Sequence, residues 1–453
     1  MICAKYKYCL FYAFCFKIAL KYLNNCIFIA QQFHFMTFKR LFKESFLVMA
    51  WILGFIWGIS NIPINADVFS PISDAFKDFE LTDMYFSHFK ENEVVEKDIV
   101  LINIGTLDRG GVAELINVLN EFHPKAIGID AFFRSPKEPE LDSALAQAFS
   151  RTKNLVLVSE LIENDSTGNV DTIKYSNDMF MRYAQPGFAD MIAKGNHSLN
   201  TARDCIPKEV VNGDTLLSFP SKLVSIYAPE KLKRYIARKN DVEPINYEGN
   251  INVNAEGSTE NSKTVFTALD WYDVLEKKFT PETIKDKIVI MGFMGETIGQ
   301  NNWQDKFCTP LNSQYVGRTA PDMYGVVVHA NIVSMILKEK YINDMPDWLN
   351  WTLTLCFIFL NIWIFNWLYL NTAEWWDGIS LLLSLVGVII LSLSMVMIFH
   401  FYNYTFNITM ASVALLLSGN LIELYWGIIK PLYMRTKEKV VSLEDQNYTG
   451  ESL

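Results

Sequence analysis

The chain has 453 residues, a formal net charge of −10, 50% apolar residues, 14% aromatic residues and 20% charged residues. The acidic balance excludes a basic nucleic-acid binder, and the content of Phe, Ile and Leu excludes a disordered chain. The length leaves room for two or three domains.

Residues 1–35 hold four of the seven cysteines (Cys3, Cys9, Cys15 and Cys26), and their apolar runs are broken by Lys17 and Lys21. They do not read as a span. Met36 opens MTFKRLFKES, a basic flank of the kind that precedes a membrane anchor, so residues 1–45 are expected to be a cytoplasmic extension with Met36 as a candidate true start. Phe46–Ile64 carries no charge and is long enough to cross about 30 Å of hydrocarbon. Ala66 has Ile64 two residues before it, a poor A-x-A-type cleavage site, so 46–64 is read as an uncleaved transmembrane anchor.

Residues 65–346 have ordinary globular composition. Asp98–Ile104 (DIVLINI) reads as a strand. Val112, Leu115, Ile116, Leu119 and Phe122 recur at helical spacing until Pro124. Ala126–Phe133 (AIGIDAFF) is a second strand; Leu141, Ala144, Leu145, Ala148 and Phe149 form a second helical stripe; Asn154–Ser159 (NLVLVS) is a third strand. This alternation predicts an α/β domain with a mainly parallel sheet, right-handed crossovers and helices on both faces. Residues 160–215 are expected to be irregular or hairpin structure. Phe219–Ala228 and Phe266–Leu275 read as helices, Pro244–Tyr247 as a strand, and Gly249–Ser262 as a polar loop. Lys287–Gly292 (KIVIMG) reads as a buried strand. Gly325–Leu337 (GVVVHANIVSMIL) reads as a helix with Val328, Ile332, Met335 and Ile336 on its buried face.

Trp348–Thr372, Gly378–Phe399 and Tyr404–Leu421 are three further charge-free stretches, so 347–429 is read as three transmembrane helices. Buried helices of a soluble protein rarely run this long without a charge. Lys39, Arg40 and Lys43 precede the first span, and Lys430, Arg435, Lys437 and Lys439 follow the last. Both termini, including the short tail 430–453, are therefore expected in the cytoplasm and the large segment outside. Asn361, Asn366, Ser384, Ser392, Ser394 and Asn420 lie within the last three spans, and such groups usually face other helices.

Parallel sheets bind ligands outside the carboxyl ends of their strands. Gly105, Thr106, Asp130, Glu160 and the turn Gly292-Phe293-Met294-Gly295-Glu296 are expected near one rim. Gly292 and Gly295 would admit a ligand to backbone N–H groups, although the spacing is not a GxGxxG. Asp130 equally suits a cap or a loop tie. Asp305 and Thr309 precede the last helix of the domain, where capping is the simpler reading. His329 lies beside the apolar stripe of that helix, as either a boundary histidine or a site residue. The histidines show no zinc spacing, and no catalytic, Walker or kinase signature appears. No metal, no cofactor and no catalytic residue are expected. Cys205 and Cys308 are the only cysteines of the outer segment and are a candidate disulfide, with two unpaired buried thiols as the alternative.

Five features in order carry a family resemblance: Phe79–Phe86 (FELTDMYF) after an anchor, DIVLINI, AIGIDAFF, YDVLEKKF with IKDKIVIMG, and Asp305–Pro310 (DKFCTP) followed by GVVVHA. Over about residues 46–340 the chain resembles the second class of CHASE-type extracytoplasmic sensory domains, the CHASE-2 family, with the three-span tail common in such proteins. The resemblance implies a bacterial inner-membrane sensor that detects a small ligand or an envelope condition and is tied to a cytoplasmic output such as a cyclase or kinase. Only about two dozen residues follow Lys430, so the output is expected from a signalling partner protein. The expected partners are the lipid bilayer, an unidentified small ligand and that protein, with no nucleic acid and with a homodimer left open. The alternative is a membrane-embedded enzyme or transport accessory with a structural outer domain.

Overall fold

The computed structural model describes residues 38–61, 81–90, 95–163, 170–189, 201–251, 264–300, 302–312, 321–372 and 375–436. The expectations for the extension 1–35, Met36 and Ala66, and for most of the loop 249–262, lie outside these residues. The chain divides into two compact units: Asn65–Met345 with Leu393–Phe406, and Met1–Ile64 with Pro346–Ser392 and Asn407–Leu453.

The first unit is built on an eight-stranded sheet. Its strands are β1 (Ile99–Asn103), β2 (Ala126–Asp130), β3 (Leu155–Glu163), β4 (Val170–Lys174), β5 (Gln185–Phe188), β6 (Asn250–Ile251), β7 (Thr264–Asp270) and β8 (Ile288–Gly292). The order is β6-β7-β1-β8-β2-β3-β4, with β5 also pairing β3. Every pair is parallel except β3 with β4. The longer helices and the one that follows β7 are α1 (Arg109–Glu121), α2 (Pro139–Arg151), α3 (Phe219–Tyr227), α4 (Pro229–Ile236), α5 (Trp271–Leu275) and α6 (Gly325–Lys338). Local chemistry sets their starts. The Asp108 carboxylate accepts the Gly111 N–H at 2.8 Å to cap α1, and α2, α3 and α4 open with proline in the first turn, where no intrahelical N–H is needed.

Alternate strand residues face opposite ways, which gives two cores. Ile99, Leu101, Val156, Val158, Ile288 and Ile290 pack with Phe219 and Leu223 of α3 and with the apolar residues of α6. Val100, Ile102, Ile127, Ile129, Leu155, Leu157, Val289 and Met291 pack with Leu115, Ile116 and Leu119 of α1 and Leu145 and Phe149 of α2. Each such aliphatic side chain contributes about 1.5–3 kcal/mol on full burial.

Three sequence expectations change. Residues 266–270 belong to β7, not to a helix; the helix is confined to α5. Val265–Leu269 is a short apolar run flanked by parallel partners on both sides, where helical and strand periodicities cannot be told apart. The strand expected over Pro244–Tyr247 shrinks to Glu243–Pro244. Helix α6 is not one-sided: every residue from Gly325 to Leu337 is buried, as expected of a helix that is apolar all round. The region 160–215 contains the expected hairpins, β3–β4 and Lys208–Val211 with Asp214–Leu217, and also the parallel strand β5.

The second unit contains the span Phe38–Ser60, the span Asp347–Asn371, most of Trp376–Tyr402, and the helix from Thr409 to Thr436, whose Tyr425–Ile429 portion is π-helical. These four helices are long and apolar enough to cross a membrane. The first begins before the charge-free run because Lys39, Arg40, Lys43 and Glu44 continue the same helix. Polar side chains meet between them. Asn366 donates to Ser45 Oγ at 3.2 Å and accepts from Trp426 Nε1 at 2.6 Å; Ser384 donates to the Leu415 carbonyl at 3.1 Å; and Lys430 Nζ lies 2.6 Å from Glu44. Such pairs let polar groups sit inside a helical bundle in apolar surroundings.

Candidate functional site

The carboxyl ends of four parallel strands meet at one rim. The register pairs Asp270 with Asn103, Asn103 with Gly292, and Gly292 with Asp130, so the last residues of β7, β1, β8 and β2 form one row. Asn103 is fully buried and ties the loops that leave the row. Its Nδ2 donates to Asp270 Oδ1 (2.7 Å) and to the Gly295 carbonyl (3.0 Å), and its Oδ1 accepts from the N–H groups of Gly105 (3.0 Å) and Met294 (2.8 Å). Asp270 also accepts the Ile298 N–H at 3.1 Å. The turn after β8 is thereby held down by side chains rather than by a ladder.

Two glycines shape this turn. A Cβ on Gly292 would lie 2.8 Å from Val326 Cβ, so the amino end of α6 lies directly on the end of β8. Gly295 has φ +92°, a conformation that side-chain-bearing residues rarely adopt. A Cβ there would also lie 3.2 Å from the Tyr324 hydroxyl, which is buried and hydrogen-bonds to none of the described residues.

Helix α6 brings Asp305 and His329 to the same end. The Gly325 N–H donates to the Asp305 carbonyl at 3.0 Å, and the Asp305 carboxylate lies 3.5 Å from where a Gly325 Cβ would stand. One turn further on, His329 Nε2 faces Asp130 Oδ2 at 3.8 Å, beyond hydrogen-bond reach. The imidazole packs against the Phe219 ring at 5.1 Å, and its Nδ1 is buried with no hydrogen-bond partner among the described residues. Burial pushes its pKa down to about 3, so the ring is neutral at physiological pH. Burial raises Asp130 to about 6. Asp305, although more than a third of the residue is exposed, is raised to about 7, first by the partial burial of its carboxyl and then by the neighbouring Asp130 carboxylate. The adjacent Lys306 directs its ammonium over the Tyr324 ring, 4.7 Å from the centroid.

The other residues expected at a site are placed differently. Thr106 and Glu296 are exposed on the rim loops, and the Glu296 carbonyl accepts from Trp271 Nε1 at 3.3 Å. Glu160 lies on the part of β3 that pairs with β4 and forms an exposed ion pair with Arg134. Thr309 is buried and secures its own loop: its N–H and hydroxyl donate to the Asp322 carboxylate at 2.8 and 2.6 Å. Among the described residues no group of three or more His, Cys, Asp or Glu is placed to hold a metal. Asn103, Asp270 and Tyr324 were not expected from sequence. The available signal was a polar residue closing an apolar strand, as in DIVLINI and VFTALD.

The structure does not join Cys205 and Cys308 in a disulfide, in keeping with the second of the two readings left open by the sequence. The Cys205 thiol sits in the α3/α6 core, donates to the Glu243 carbonyl at 3.4 Å and contacts the Tyr235 hydroxyl at 3.6 Å. Burial pushes it up to about 12, away from the thiolate that disulfide chemistry needs.

No curated protein and no solved structure matches the chain significantly. A family match covers residues 78–372, from just before the short helix Leu81–Met84 through β1–β8 and α6 to the end of the second span. That is more than half of the chain, and with the four apolar helices it identifies a membrane protein of the CHASE2 domain family, a family of extracytoplasmic sensory domains.

Proposed function

We propose that the protein is an inner-membrane sensor whose extracytoplasmic α/β domain recognises a small ligand at the rim formed by Asp130, Gly292, Gly295, Asp305 and His329. It passes the signal to a partner protein and carries out no catalytic step of its own. The observation that carries this reading is the in-register row Asp270–Asn103–Gly292–Asp130, overlain by a buried imidazole nitrogen and a buried phenol hydroxyl that lack hydrogen-bond partners among the described residues. Buried polar groups are normally satisfied. Groups left open at the carboxyl rim of a parallel sheet are groups available to a ligand.

Two measurements test it. A phosphatase active only outside the cytoplasm, inserted at the exposed Asn212-Gly213 hairpin turn, should be active, and fused after Leu453 it should be inactive. The reverse pattern refutes the orientation. A small-molecule screen by thermal shift on the full chain should give ligands that stabilise the wild type and not Gly295→Val. Ligands that stabilise both proteins equally would remove the rim from the reading.

A further inference from the structure

We propose that the Asp130–Asp305–His329 cluster is a cation site that receives the protonated amine of a small organic ligand; the proposal rests on the rim being the sensor's ligand site.

Other buried carboxylates of the same unit are neutralised or hydrogen-bonded by their surroundings. Four buried carboxylates have a cation: Asp142 has Arg109, Asp83 has Arg203, Glu243 has Arg238, and Glu248 has Lys338; Asp270 has none among the described residues but accepts from Asn103 Nδ2 and the Ile298 N–H. Buried charges are expected to be paired in this way. Asp130 has neither a charged partner nor a hydrogen-bond donor among the described residues. Its side chain is 15% exposed, it accepts no hydrogen bond through its carboxylate among the described residues, and its nearest basic group is the neutral His329. Asp305 lies close enough to feel the Asp130 charge, and the Lys306 ammonium beside it is turned to the Tyr324 ring. Two carboxylates therefore share a place where no described residue supplies an ion pair to hold them. A cation brought from outside would relieve both.

His329 is the independent observation. It is 1% exposed and makes no hydrogen bond among the described residues, yet its Nε2 is directed at the Asp130 carboxylate. The unprotonated nitrogen of a neutral imidazole can accept from a ligand N–H, and the carboxylate beside it repels an anion. A metal ion is disfavoured because no group of three ligating side chains is present among the described residues, and metals need several ligands at about 2.0–2.6 Å. An ammonium needs only acceptors at about 2.7–2.9 Å.

The test uses the full chain in detergent or nanodiscs and three probes with the same four-carbon backbone: putrescine, 1,4-butanediol and succinate. Calorimetry measures binding, and the His329 ring resonances report its location. Putrescine should bind saturably, perturb the His329 ring and bind about tenfold more tightly at pH 7.5 than at pH 5, because protons compete for the carboxylates. Asp130→Asn and Asp305→Asn should each weaken it about tenfold or more, with folding checked by the unfolding midpoint. Binding of butanediol or succinate at His329 without binding of putrescine would overturn the cation assignment while leaving the rim as a ligand site. Putrescine binding that survives in the Asp130→Asn/Asp305→Asn double variant would overturn the site. Calcium or magnesium binding with the same dependence on both aspartates would replace the amine with a metal and overturn it too.

Discussion

Replacing Asp130 by asparagine keeps the shape of the side chain and removes its charge, which isolates the cost of ionising a carboxylate at the rim. In the unfolded chain this carboxyl ionises near 3.8, and in the folded protein only near about 6. Between these values the folded state holds the proton more tightly, so stability falls as pH rises from about 4 to about 6 and stays lower above that. At about 1.4 kcal/mol per tenfold, the full difference is about 3 kcal/mol, and the 15% exposure of the side chain brings it nearer 2. Asp130→Asn escapes the penalty. Its unfolding midpoint should therefore exceed that of the wild type by about 4–8 °C at pH 8 and equal it at pH 4. Tryptophan fluorescence or scanning calorimetry of the purified full chain at both pH values measures the two differences. Equal midpoints at pH 8, or a larger gain at pH 4 than at pH 8, would refute the claim that Asp130 carries an uncompensated charge. A stabilised variant with weakened amine binding would show stability and recognition pulling in opposite directions at one residue.

Asn103→Ala leaves the Gly105 and Met294 N–H groups without their acceptor in a buried place, and should lower stability by about 3 kcal/mol, seen as a lower denaturant midpoint; an unchanged midpoint would mean that the rim loops are held by something else. Gly128→Ala places a Cβ 2.7 Å from the Phe219 ring and should cost about 1–3 kcal/mol through displacement of α3, measured the same way. Cys205 should resist maleimide in native membranes at pH 7.5 and react fully once the chain is unfolded without reductant; a thiol still blocked in the unfolded, unreduced chain would restore the disulfide.

The spans and the strands β1, β2, β3 and β8 were legible from the chain alone because each depends on a one-dimensional property. A span needs about 20 apolar residues without charge, and an interior parallel strand needs a short run that is apolar on both faces. Phe46–Ile64 and KIVIMG meet those conditions wherever they lie in the fold. The first failure is instructive. Val265–Leu269 satisfies both the helical and the strand pattern, and only the presence of β1 on one side and β6 on the other makes it a strand.

The rim was legible as a list of strand ends and not as a site. Strand order is not chain order: β8 inserts between β1 and β2, and β7 lies outside β1. That order is what lines up Asn103, Gly292 and Asp130, lays α6 over Gly292 and brings Asp305 and His329 to the same end. It also gives Thr309 and Glu160 partners of their own, in Asp322 and Arg134. Periodicity records which face of an element is apolar, but not which distant element will cover that face. The neighbour that closes a hydrogen bond, or leaves one open, is decided only when the whole sheet finds the arrangement that buries both its faces.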